Sequence, residues 1–193
     1  MTNIDIAPVG GYSLNQQAHG HVKMWKYDLK TGDKTLLLDN KNLIVNQGSD
    51  ILASALSGMP NSHITHFYIG YTNVSSPSLG AISVEDKFNS FPADSANGYV
   101  RIPIAFSPSF LTEDGYDNNI PYFTTFLTSG APVITSGLAL SDGVKLTSLG
   151  LINARVPDSP ANDRLFSKVN FGPIVWDSTA GLAISWGITF RTV

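Results

Sequence analysis

A few groups of side chains in this chain of 193 residues have the types that chemistry uses. His19 and His21 flank Gly20, a spacing that sets two imidazoles on one face of a strand, as some metal sites do. No third histidine, cysteine or spaced carboxylate lies nearby in sequence to complete a ligand set, so the reading is structural. His63 and His66 are three apart at the start of an apolar run and point to opposite faces of a strand, with His66 expected to pack or hydrogen-bond near Tyr68. The stretch Glu113-Asp114-Gly115-Tyr116-Asp117-Asn118-Asn119 gathers oxygen ligands in one loop, but it lacks the alternating spacing and the closing glutamate of a calcium loop. It reads as a polar surface loop.

Glycosidase chemistry needs two carboxyls across a cleft, and the acidic pairs Glu85-Asp86 and Glu113-Asp114 each join adjacent residues, which point apart on a strand. There is no G-x-S-x-G elbow for a nucleophilic serine, no Walker loop and no G-x-G-x-x-G for phosphate. With no cysteine there is neither a thiolate nor a disulfide. The expectation is a chain that is not an enzyme and carries no catalytic, metal or cofactor site. Trp25, Trp176 and Trp186 with seven tyrosines are the remaining candidates, as a platform for stacking sugars. Trp186 belongs to an alternating core face, whereas Trp25 and Trp176 sit among polar neighbours and are expected to be partly exposed.

The elements that position these residues are mostly strands. Residues 21–29 and 34–39 flank Lys30-Thr31-Gly32-Asp33, a hairpin turn. Asn42-Leu43-Ile44-Val45 runs extended into Asn46, the expected N-cap of a short helix whose apolar face is Ile51, Leu52, Ala55 and Leu56 and which stops at Gly58. Residues 64–71 and 100–107 follow as strands, the second carrying Pro103, which cannot donate to a central ladder and so predicts an edge or bulged strand. Residues 121–128, 145–154 and 165–177 are further strands. The cleanest alternation is Leu182, Ile184, Trp186, Ile188 and Phe190 against Ala183, Ser185, Gly187, Thr189 and Arg191. It is expected to close the sheet.

Eight to ten short strands with loops of Ser, Pro, Asn, Asp and Gly predict an all-β fold, an antiparallel β-sandwich of jelly-roll or related topology with one short helix. Residues 1–20 lack a sustained period and read as an extended N-terminal arm, whose Ile4, Ile6, Val9 and Tyr12 are candidate assembly contacts. Residues 21–193 form the single domain. Neither a signal peptide nor a membrane span is evident, and the cysteine-free chain suits a reducing cytoplasm.

The net charge is −3 and the lysines at 23, 26, 30, 34 and 41 are interleaved with Asp28, Asp33 and Asp39, which argues against nucleic-acid binding. Only 14% of the residues are charged, against about 25% in an ordinary soluble domain. Interface cores are depleted in charge, so the composition predicts an assembled protein and not a free monomer.

Asn42-Leu43-Ile44-Val45-Asn46, Gly48, Leu52-Ala53, Leu56, Gly58 and Ile64-Thr65-His66-Phe67-Tyr68-Ile69-Gly70 together resemble a pattern in small β-sandwich structural proteins of tailed-bacteriophage virions. The closing Leu182-Ala183-Ile184-Ser185-Trp186-Gly187-Ile188-Thr189-Phe190 is similar to their last strand. The resemblance implies a virion protein assembled in the host cytoplasm, a capsid decoration or cement protein or a tail or baseplate component. Its partners would be the major capsid protein or other virion proteins; the strand patterns and the low charge add the expectation of a homo-oligomer, with a trimer favoured. A glycan-binding receptor module is the reading from a different class.

Overall fold

The computed structural model describes residues 16–88, 93–104, 122–131, 133–154 and 162–192. Nine strands and one helix follow in the order β1 (Gln16–Asp28), β2 (Lys34–Ile44), α1 (Asn46–Leu56), β3 (His66–Thr72), β4 (Asn97–Pro103), β5 (Tyr122–Leu127), β6 (Ile134–Gly137), β7 (Lys145–Asn153), β8 (Arg164–Val175) and β9 (Ala180–Thr192). All strand pairings are antiparallel, and the strands form one curled open sheet in the order β5-β9-β1-β2-β8-β7-β3-β4-β6.

The curl is organised by β2. Along most of its length it pairs with β1, from Gly20 opposite Asn42 to Tyr27 opposite Lys34. Its last two residues, Leu43 and Ile44, pair with Lys168 and Ser167 of β8. One flank, β5-β9-β1-β2, is thereby joined to the other, β8-β7-β3-β4-β6, by two rungs. The flanks close over one apolar core in which Val22, Met24, Ile184 and Trp186 of the first meet Phe67, Ile69, Val100, Leu149 and Leu151 of the second. The Phe67 and Trp186 rings stand 6.4 Å apart across it.

The second flank is covered on its outer face as well. There Tyr68, Phe88 and Tyr99 pack edge to face with ring centroids 5.2 to 5.8 Å apart, joined by Val45, Ile152 and Leu165. Residues 67–72 of β3 and 98–102 of β4 are therefore buried without alternation. The hairpin turn after β1 is tied by Asp28, whose carboxylate accepts the amides of Lys30 (2.7 Å) and Thr31 (3.1 Å). Those amides hold the Asp28 carboxyl below the usual carboxylate range.

Several expectations need correction. Asn46 is the first helical residue and not the cap; Val45 occupies that position with no side-chain cap, and the Asn46 amide instead donates to Glu85 (2.7 Å). The helix buries Gly48 and Ile51 and partly buries Leu52, whereas Ala55 and Leu56 are exposed. A helix of about three turns lying on a sheet end touches it along a narrow line, so the outer half of the apolar stripe stays in solvent. Gly58 does end the helix, with φ 71°, and the Ser57, Gly58 and Met59 amides close on Ala53, Ala55 and Ser54.

β4 is neither an edge strand nor bulged against its neighbours; it lies between β3 and β6. Pro103 is tolerated because β6 stops at Arg101, which leaves the proline past the end of that ladder. The strand at 134–137 was not expected from the sequence, and β9 lies inside the sheet between β5 and β1. β1 starts at Gln16, ahead of the expected His21.

Helix docking depends on Gly48, where a β-carbon would overlap the Phe166 carbonyl oxygen of β8. In a free helix Gly→Ala gains about 1 kcal/mol. Gly48→Ala is expected to have the opposite sign, a loss of about 1–3 kcal/mol in denaturant unfolding, because backbone cannot move aside as a side chain does. A gain in stability would contradict the close approach of α1 to β8.

Candidate functional site

The end of the curled sheet beside α1 is open. A cavity of about 550 Å³ lies between Ile51, Leu52 and Ala55 of the helix, residues 62–65 before β3, and Ile104, Phe123, Phe166 and Ile188 from the strand ends. The lining is almost wholly aliphatic and aromatic. Among the described lining residues His63 is the one with an ionisable side chain. Leu56 and Met59, which lie between the lining residues Ala55 and Ser62 in the chain, are 82% and 60% exposed. An open apolar concavity of this kind, beside exposed apolar side chains, is the usual mark of a docking surface. Among the described residues it offers shape and apolar contact, with Ser62, His63 and Thr65 as its polar side chains.

A second, more polar crevice of about 330 Å³ runs between the outer face of β3, β7 and β8 and residues 77–81. Its polar groups are engaged with one another. The Tyr68 hydroxyl pairs with that of Ser148 (2.8 Å), the Asn170 amide donates to the Gly80 carbonyl (2.7 Å), and Lys168 pairs with Asp86 at 3.5 Å. Burial lowers the Lys168 pKa against the pull of Asp86, and burial raises Tyr68 well above the ordinary phenol. These bonds fasten the covering segment to the sheet, and the crevice is the seam they leave.

The third feature is a buried ion pair. Arg101 of β4 and Asp163, just before β8, meet at 3.0 Å with both side chains fully shielded from solvent. Burial pushes the Asp163 carboxyl up to about 6 against the opposing pull of the guanidinium. Half-buried His66, on the same face, is held below its usual pKa by burial and by the nearby Arg101 charge.

The structure places the sequence candidates as follows. His21 is exposed and pairs with Asp39 of β2, which Lys23 also approaches at 3.9 Å. His63 lines the apolar groove, and the His66 ring bonds the Thr65 hydroxyl (2.9 Å). Glu85 and Asp86 serve different partners, Asn46 and Lys168. Among the described residues no three metal-ligating side chains converge. Trp25 is half-buried with the Lys34 ammonium 4.5 Å from its ring centre. Trp176 is not partly exposed, as its polar neighbours suggested; it is 4% exposed and its amide joins Val144 (2.9 Å), because the chain turns its ring into the core at the β8–β9 turn. Residues 113–119 and the arm contacts Ile4, Ile6, Val9 and Tyr12 lie outside the described residues.

Neither the groove nor the ion pair was legible in sequence. The groove-lining residues come from six separated segments, and Arg101 and Asp163 are 62 positions apart in a chain with no spacing motif that links them. No family model, no curated protein and no solved structure matches the chain.

Removing one member of a buried pair strands the other. Arg101→Met is expected to cost about 3–5 kcal/mol at neutral pH. The Asp163 pKa in the fold already lies above its ordinary value of 3.8, so its charged form is penalised above about pH 6 and the penalty is relieved as pH falls toward 4. Without Arg101 that pKa rises further. The variant should regain stability between pH 7.5 and 5, and the second change Asp163→Leu should rescue it at neutral pH. Equal losses at both pH values would contradict this assignment.

Proposed function

We propose that this protein is a structural component of a tailed-bacteriophage virion, a decoration or cement protein that binds across neighbouring major-capsid subunits. The observation that carries the reading is the open apolar groove of about 550 Å³ beside α1, since a chain that leaves such a concavity uncovered belongs to an assembly whose neighbouring subunits, copies of itself included, complete it. The low charge supports it, because only 14% of the residues carry one and interface cores are poor in charge. The resemblance of residues 42–70 and 182–190 to small virion proteins supplies the setting, and a β-sandwich of jelly-roll kind is the finer description of the curled sheet that goes with it. The mechanism is mass action: a protein that binds only the assembled lattice shifts the equilibrium toward the intact shell.

The glycan-binding alternative is weaker, because Trp176 is in the core and the Trp25 ring already carries Lys34. A tail or baseplate location is distinguished by experiment. Full-length protein added to undecorated phage heads should bind saturably and raise the temperature at which the heads open. Ala55→Glu, which places a charge at an exposed position of the groove, should bind at least tenfold more weakly, a difference of about 1.4 kcal/mol. Failure of the full-length protein to bind heads, with binding to tails or to immobilised glycans, would overturn the reading.

A further inference from the structure

We propose that the apolar groove is the seat of the N-terminal segment of a second copy, residues 1–15, with Ile4, Ile6, Val9 and Tyr12 as its anchors. This inference rests on the assembly reading above and names the partner that fills the groove.

The root of the segment stands at the right end of the molecule. Ile188, which lines the groove, pairs with Gly20 in the β1–β9 ladder, and four rungs further out Gln16 pairs with Thr192. Four rungs span about 14 Å. The fifteen residues before Gln16 reach up to about 50 Å when extended, enough to cross to a neighbour. Their direction matters too. Gln16 lies four rungs beyond the level of Ile188, so a segment filling its own groove has to reverse direction after leaving β1.

The chemistry is complementary. Residues 1–15 hold Ile4, Ile6, Val9, Tyr12 and Leu14 with a single charged side chain, Asp5. The groove offers a mainly aliphatic and aromatic lining, and none of its described lining residues is a carboxylate, lysine or arginine. The other segment of the chain attached nearby, residues 105–121, joins the lining residues Ile104 and Phe123 but carries Glu113, Asp114 and Asp117, three carboxylates that an apolar seat would have to desolvate. The segment and the groove are different surfaces, so a copy can give its segment to one neighbour and receive one from another, and such a head-to-tail contact closes into a ring when the rotation permits. The trimer expected from the sequence is one such ring.

The chain has no cysteine, so engineered pairs report without background. Full-length protein carrying Ile6→Cys with Ala55→Cys is mildly oxidised at micromolar concentration and run under non-reducing conditions. The expected result is a ladder of covalent dimers and higher species, about tenfold more abundant than from Ile6→Cys with Lys30→Cys at the remote hairpin turn, because the docked segment raises the local thiol concentration. His63→Cys is a second acceptor in the same lining should Ala55→Cys unfold. A disulfide formed within one chain overturns the proposal, as does a ladder no stronger than the control. Efficient pairing of Ala55→Cys with Phe110→Cys inside one chain does so too, since it gives the groove to residues 105–121. Phage heads are absent from this experiment. Failure of the virion reading leaves its result standing, and binding to heads without the ladder removes only the exchange.

Discussion

The structure turns on a two-rung join. If the ladder between β2 and β8 continued in the register of Leu43 with Lys168 and Ile44 with Ser167, Leu36 would face Val175. It stops after two rungs, and Leu36 and Val175 are left exposed at its unpaired end. Strands that twist right-handedly cannot remain paired along their whole length while the sheet folds back on itself. Ending the ladder early lets the two flanks turn their inner faces toward each other, which brings Phe67 against Trp186 and creates the core.

The burial of everything else follows from that turn. The flank from β8 to β6 is packed on the inside by the opposite flank and on the outside by Phe88 and the residues around it, so most residues of its central strands β7 and β3 are buried. A polar group on such a strand needs a partner of its own. Arg101 finds Asp163, and Tyr68 finds Ser148. The helix lies across one end, held close by the absence of a side chain at Gly48, and it covers only part of the apolar surface that the curl leaves there. The groove is the remainder.

The sequence was informative where one face of a strand meets core and the other meets something smaller. Leu182, Ile184, Trp186 and Ile188 alternate with Ala183, Ser185 and Gly187, and β9 is where they predict a strand. β1, β2, β3, β5, β7 and β8 were likewise placed within a few residues, by alternation and by turn residues such as Gly32 and Asp33. β6 was missed because Ile134 to Gly137 is too short to show a period. The helix lies where its spacing predicts, with its outer face exposed. Helical spacing identifies an apolar stripe and does not say how much of it a partner element reaches; Leu56 shows the difference. Trp176 shows the converse, since polar sequence neighbours say nothing of where a turn directs a ring. Arg101, a charged residue between Val100 and Ile102 on β4, lies fully buried because the face opposite the core is itself covered.

The central claim is that the folded chain is incomplete alone and is completed by copies of itself at the groove. Sedimentation equilibrium of the purified protein at micromolar concentration tests it most directly. The account predicts a mass that is a multiple of the 20.7 kDa chain, a trimer in the first instance, falling to one chain in Ala55→Glu without loss of its β-sheet circular dichroism. A wild-type protein that sediments as a single chain at that concentration, with the same thermal stability as Ala55→Glu, would contradict it.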